Sequence, residues 1–214
     1  MRIEEKSNKK LLVEGNDDQH VIWALCKCKD KEFNIPKEKE FDVIDCEGIN
    51  ELYKEIPVRL KQSNIETLGI IIDADTDINN RWINIKNIFL KQGFHIPDDL
   101  PSTGLVLSND DIKIGVWIMP NNNINGMLED FISFLIPEDD KLLPIVRTTL
   151  NDIESKKLNN YSSIHRSKAE IHSWLAWQKE PGTPMGFSIT KRYLTTDNES
   201  CKQLINWLKE LFID

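Results

Sequence analysis

LGIIIDADTDINN, residues 68–80, sets an apolar run directly against three aspartates. Leu68, Gly69 and three isoleucines form a continuous apolar run that stops at Asp73. Such a run, short and with neither helical nor alternating period, predicts a strand buried on both faces. Strands of that kind belong inside a parallel sheet covered by helices. Outward from it, four further runs read as strands: KLLVE at 10–14, FDVID at 41–45, GLVLS at 104–108 and KIGVWIM at 113–119. Helical patterns lie between them. Residues 17–29 set Val21, Ile22 and Leu25 on one face; 49–63 carry Ile49, Leu52, Ile56 and Leu60, with Pro57 expected to bend the segment; 80–92 carry Ile85, Ile88 and Phe89. Alternating strand and helix predicts an α/β fold with a parallel sheet flanked by helices. Only SNDD-type turn residues separate the last two strands, so they are expected to pair as an antiparallel edge hairpin.

Beyond residue 126 the pattern turns helical, at 126–135, 138–152, 167–179 and 198–212, with EPGTPMG at 180–186 as a loop. The expected organisation is an α/β core over 8–125 and a helical extension over 126–214 packed on it. No flexible linker precedes the extension.

The chain has 214 residues, 40% of them hydrophobic and 29% charged, which suits one globular unit with its own core. No apolar run reaches the ~20 residues that span a bilayer, so no membrane partner is expected. The opening MRIEEKSNKKLLVEG has no apolar segment followed by a cleavage site, and the four cysteines form no CxxC pair. A cytoplasmic, reducing location is the expectation. Cys26 and Cys28 read as helix residues rather than ligands. The net charge of −8 argues against a general nucleic-acid coat protein. If phosphate is handled at all, a cation or a local basic patch must supply the positive charge.

In α/β sheets function gathers at the carboxyl ends of strands. The first strand runs into LLVEGNDD, which places Glu14 at its end, a turn at Gly15 and a helix from about Asp17. Asp18 lies one turn before Ile22 and shares the sheet-facing stripe. Asn16 or Asp17 would cap that helix. The third strand runs into Asp73-Ala-Asp75-Thr-Asp77. If extension continues, Asp73 and Asp75 face one side and raise each other's pKa, a cost that a hard divalent cation removes. A solvated Asp-rich turn is the alternative. A calcium loop starting at Asp73 would need Gly at its sixth position and Glu at its twelfth; Ile78 and Asn84 stand there. No Walker GxxxxGK[ST] is present, and the Asp-x-Asp lacks the first-strand position and following residues of a haloacid-dehalogenase-type phosphatase.

Glu-Gly after strand one and Asp-x-Asp after strand three, with βαβα spacing between, resemble the two signatures of the TOPRIM domain. That domain occurs in type IA topoisomerases, bacterial primases, recombination proteins, RNA-maturation nucleases and the OLD (overcoming lysogenization defect) nucleases. GVWIMPNNNINGMLEDFI and SKAEIHSWLAWQKEPGTPMGFSI further resemble an uncharacterised family of stand-alone, OLD-nuclease-like TOPRIM proteins. The resemblance implies a Rossmann-like TOPRIM core. It implies Glu14 as a general acid/base or metal ligand, and Asp73 and Asp75 as the Mg²⁺-binding pair. It further implies Asp18 as support for a second metal, with Glu129 and Lys168 as the later acid and lysine. One or two Mg²⁺ or Mn²⁺ ions follow.

Read from the residues alone, Glu129 or Asp130 in a first helical turn also complements the helix dipole, and Lys168 also fits a snorkelling lysine. Around Lys168 lie Lys156, Lys157, His165, Arg166 and His172, the only locally basic stretch. His165 and Arg166 are therefore candidate phosphate contacts beside Lys168. Asp17, Asp77 and Asp130 are secondary acids. No HExxH or Cys partner supports zinc. Trp174, Trp177 and Trp207 are expected in packing, and no tyrosine has the context of a topoisomerase nucleophile. The expected function is a Mg²⁺/Mn²⁺-dependent phosphodiester hydrolase, a nuclease on DNA or RNA. A metal-binding TOPRIM-like module without catalysis is the alternative, and a phosphomonoesterase comes third.

Overall fold

A computed structural model describes residues 5–27 and 40–213. Five strands form one sheet: β1 (Lys9–Val13), β2 (Asp42–Asp45), β3 (Thr67–Asp73), β4 (Leu105–Ser108) and β5 (Lys113–Met119). Their order is β2-β1-β3-β5-β4. All neighbours are parallel except β4 and β5, which form the antiparallel edge hairpin read from the sequence. The α/β class with a mostly parallel, helix-flanked sheet therefore stands.

Strand alternation splits the apolar residues between two cores. Leu12, Ile70, Ile72, Val116 and Ile118 meet Leu52 and Ile56 of α2 (Ile49–Arg59) and Trp82, Ile85 and Phe89 of α3 (Ile78–Lys91). On the opposite face Leu11, Val13, Ile71, Trp117 and Met119 meet α1 (Asn16–Lys27). That core also takes in α4 (Leu128–Phe134), α5 (Leu143–Ser155), α6 (Arg166–Ala176), α7 (Met185–Thr190) and α8 (Glu199–Phe212). A β-carbon at Gly69 would lie 2.8 Å from Leu211, and one at Gly115 2.6 Å from it. Glycine at these two strand positions is what lets α8 seat directly on the sheet. Trp207 of α8 is fully buried there and donates through Nε1 to the Leu105 carbonyl at 2.9 Å.

Several boundaries differ from the sequence reading. β1 ends at Val13, one residue before Glu14, and α1 begins at Asn16. Residues 28 and 29 of the expected first helix, Cys28 among them, lie outside the described residues. The second helix stops at Arg59 rather than 63, two residues after Pro57. Gly126 does not start a helix: its φ is +145°, and α4 begins at Leu128. The next helix starts at Leu143, not 138. Pro137 and Pro144 bracket a turn there, in which Asp140 Oδ1 accepts from the Leu142 and Leu143 amides at 2.9 and 2.6 Å. The loop expected at 180–186 gives way at Met185 to the six-residue helix α7, which packs on α1. Trp174 and Trp207 are buried as expected, whereas Trp177 is 47% exposed. No helix among the described residues is long and apolar enough to cross a membrane.

Candidate functional site

The parallel register places the ends of β1 and β3 side by side, with Val13 opposite Ile71. Glu14 leaves β1 there, and its Oε1 accepts from the Asp73 amide at 2.7 Å. Asp18 is buried in the first turn of α1, and its Oδ2 accepts from the Gly15 amide at 3.1 Å. This closes the start of α1 from inside the helix, a role the sequence reading gave to Asn16 or Asp17; both are exposed instead. The fourth acid comes from α4. Glu129 is 4% exposed, and Lys168 Nζ of α6 lies 3.6 Å from its Oε1.

The turn after β3 determines how α4 arrives. Asp75 and Gly126 form an isolated β-bridge, with Asp75 N donating to Gly126 O at 2.8 Å and Gly126 N to Asp75 O at 2.9 Å. Asn125 adds two bonds, accepting from Ile78 N at 2.9 Å and donating to Thr76 O at 2.6 Å. At Gly126 an added β-carbon would lie 2.8 Å from the Asp130 carboxylate, so both the positive φ and the contact require glycine. Asp130 itself accepts from Met127 N at 2.8 Å and closes the start of α4.

The acids repel one another electrostatically. Burial pushes the Asp18 carboxyl up to about 7, and Glu14 and Glu129 add to the rise against the Gly15 amide. Burial likewise holds Asp73 well above the carboxylate range, reinforced by Asp18, Glu14, Glu129 and Asp75. Burial also raises Glu14, opposed by the Asp73 amide and by Arg81. Asp73 Oδ1 is buried with no hydrogen-bond partner among the described residues. A buried acceptor in that state costs about 1–3 kcal/mol unless something binds it.

Two expected partners are elsewhere. Asp73 and Asp75 do not share a strand face: β3 ends at Asp73, and Asp75 has φ +52°. The Asp75 carboxylate is held in an ion pair with Arg81 of α3. Asp77 is the cap of α3, accepting from Asn80 N at 3.0 Å, and is not turned to the other acids. Its exposed place follows from the β3 turn reversing before it. Asp130, raised by burial, serves α4. Arg166 pairs with Glu154 and Glu170, while His165 is exposed at the start of α6. Sequence spacing gave no signal for Arg81, six residues after Asp75, nor for Arg147, which meets Glu170 from another helix. The i, i+4 spacing of Arg166 and Glu170 did carry one.

An all-oxygen donor set, one orphaned carboxylate oxygen and mutual repulsion fit a hard divalent cation in chemistry. As the side chains stand, no group of three or more His, Cys, Asp or Glu among the described residues is disposed to hold a metal ion.

A family model described as "Protein of unknown function (DUF3226)" matches residues 8–213. The chain belongs to the DUF3226 family. The match takes in β1 through α8, so the acids on the sheet and Glu129 and Lys168 beyond it all fall within the DUF3226 region. No curated protein and no solved structure matches the chain.

Proposed function

We propose that this DUF3226 protein is a Mg²⁺- or Mn²⁺-dependent phosphodiester hydrolase, a TOPRIM-type nuclease acting on DNA or RNA. The observation that carries the reading is the crowding of Glu14, Asp18, Asp73 and Glu129 from four elements at the carboxyl end of the sheet, with burial raising the carboxyls of Glu14, Asp18 and Asp73. Natural folds rarely retain such a costly set without a ligand to relieve it. Asp18, Asp73 and Glu129 would hold one or two ions, joined by Asp75 when it leaves Arg81. Because no trio is disposed for an ion as the side chains stand, binding requires these carboxylates to rotate. A bound ion would acidify a water molecule and neutralise charge on the phosphate. Glu14, its carboxyl raised by burial, is suited to take the proton from that water. Lys168 is half exposed beside Glu129 and positions an ammonium where charge builds on the phosphate oxygens.

The test is incubation with supercoiled plasmid, single-stranded DNA and RNA in Mn²⁺ or Mg²⁺. Cutting by the wild type is expected, with a loss of about 100-fold or more in Glu14→Gln. Mn²⁺ binding measured by calorimetry should disappear in Asp73→Ala, and unchanged binding in that variant overturns the site. The pairing of Asp75 with Arg81 favours one second reading, a cation-binding module without hydrolysis. Mn²⁺ binding with every substrate left intact decides for it. Turnover of a generic phosphate monoester alone would favour a phosphatase.

A further inference from the structure

Beside Asp75 and Asp130 lies a cleft of about 610 Å³, the size of a small-ligand site. Asp75, Gly126 and Asp130 line it from the sheet end, and Arg147, Arg166 and Glu170 from α5 and α6. Glu170 is 6% exposed, yet two guanidinium groups converge on it. Arg147 reaches its Oε1 through Nε at 3.0 Å and Nη2 at 2.9 Å, and Arg166 Nη1 donates to Oε2 at 3.1 Å. Arg166 is answered a second time, by Glu154 at 3.1 Å and Asn151 at 2.8 Å. Arg147 is paired to Glu170 alone among the described residues, and its side chain is 52% exposed.

A guanidinium has five donors in a rigid fork. Glu170 engages one edge of the Arg147 fork and fixes its plane, so its other donors are oriented before any ligand arrives. A fixed, half-exposed guanidinium of this kind suits a phosphate, which it can bind through two parallel hydrogen bonds. Ile164, exposed in the same cleft, offers apolar surface to a sugar or base.

We propose that the cleft is a phosphate subsite in which Arg147, held by Glu170, binds a phosphodiester neighbouring the one at the acids. The substrate is then a nucleic-acid strand rather than a mononucleotide or a phosphomonoester. This rests on the hydrolase reading above for the second phosphate, but Arg147 can be tested without any cutting. In a protein of net charge −8, a built contact of this sort also explains how a polyanion is held locally.

The experiment is fluorescence anisotropy of labelled single-stranded oligonucleotides, DNA in one arm and RNA in the other, in EDTA and again in Ca²⁺. The wild type is expected to bind at least one of them. Arg147→Ala is expected to weaken binding about tenfold, a loss of one charge-assisted contact. It should also flatten the dependence of log K on log salt by about 0.7, the value for one phosphate on a single strand. Arg147→Lys, which keeps the charge without the fork, should fall between the two and covers the case in which the alanine variant folds poorly. A Kd within about twofold of wild type and an unchanged salt slope in both variants overturns the subsite, a smaller change than one lost ion contact gives. No binding by the wild type overturns it too. Weakened binding with no cutting by the wild type leaves the subsite and removes the hydrolase. Cutting with binding indifferent to Arg147 does the reverse.

Discussion

Two buried charge sets lie four residues apart on the same segment, and they are built in opposite ways. Lys10, inside β1, is 3% exposed, and its Nζ meets Asp42 at 2.7 Å and Glu5 at 3.2 Å. Asp42 also accepts from the Lys6 and Ser7 amides at 2.8 and 2.9 Å. This end of the strand is satisfied: cation, anions and amides answer one another. At the other end Glu14, Asp18, Asp73 and Glu129 face one another, with a single half-exposed ammonium, Lys168, beside them. A satisfied set holds a fold together; an unsatisfied one costs stability. The contrast is between a charge set that is paired and one that is not, at the two ends of β1.

The largest expected effect lies at the satisfied end. Lys10→Ala leaves Asp42 and Glu5 without their cation and should lower unfolding free energy by about 3 kcal/mol, read from urea denaturation. At the other end the sign should reverse. Asp18→Asn keeps the acceptor for the Gly15 amide but removes a buried charge, and at pH 7 without metal it should stabilise the fold by about 2 kcal/mol. A destabilising result would remove the claim that this end is strained.

Acidity should produce the same effect in the wild type. Asp18 has its folded pKa raised to about 7 from an ordinary 3.8, so the native state holds a proton that the unfolded chain has lost. The contribution of Asp18 to metal-free stability is therefore fully present below the unfolded pKa and is lost as pH rises through about 7. Thermal melts between pH 4 and 8 with and without EDTA check this. If the proposed site holds Mn²⁺, added Mn²⁺ should oppose the trend by binding the ionised carboxylates, and at a hundredfold excess over Kd should contribute about 2.7 kcal/mol. The same addition should do nothing for a variant lacking Asp73. The smallest effect belongs to Asp77. As a helix cap its replacement by alanine should cost about 1 kcal/mol and leave cation affinity alone; altered affinity would return Asp77 to the ligands.

The sequence made the sheet legible because both of its signals are local. Continuous apolar runs such as LGIIID mark strands buried on both faces, and i, i+3, i+4 spacing marks the covering helices. The same locality placed Glu14 and Asp73 at strand ends and Asp18 in the first turn of the helix that follows. It misjudged Asp75, because its alternation argument assumed that extension continued past Asp73. The bridge to Gly126, 51 residues away, turns the chain instead. It also missed α7, whose six residues MGFSIT are too short to show a period.

Local pattern alone therefore fixes the α/β class, the alternation of strand and helix, and the acids Glu14 and Asp73 at the ends of β1 and β3 with Asp18 on the helix between. Tertiary structure decided which acids meet. Glu129 joins them because the Asp75–Gly126 bridge and the Asn125 contacts hold α4 against the β3 turn, and Arg81 claims Asp75 from a separate helix. Arg147 reaches Glu170 because α5 packs on α6. The physical reason is range. Periodicity and capping act within a turn or two of chain, whereas the balance of charge in a buried site depends on which distant elements packing brings within a few ångströms.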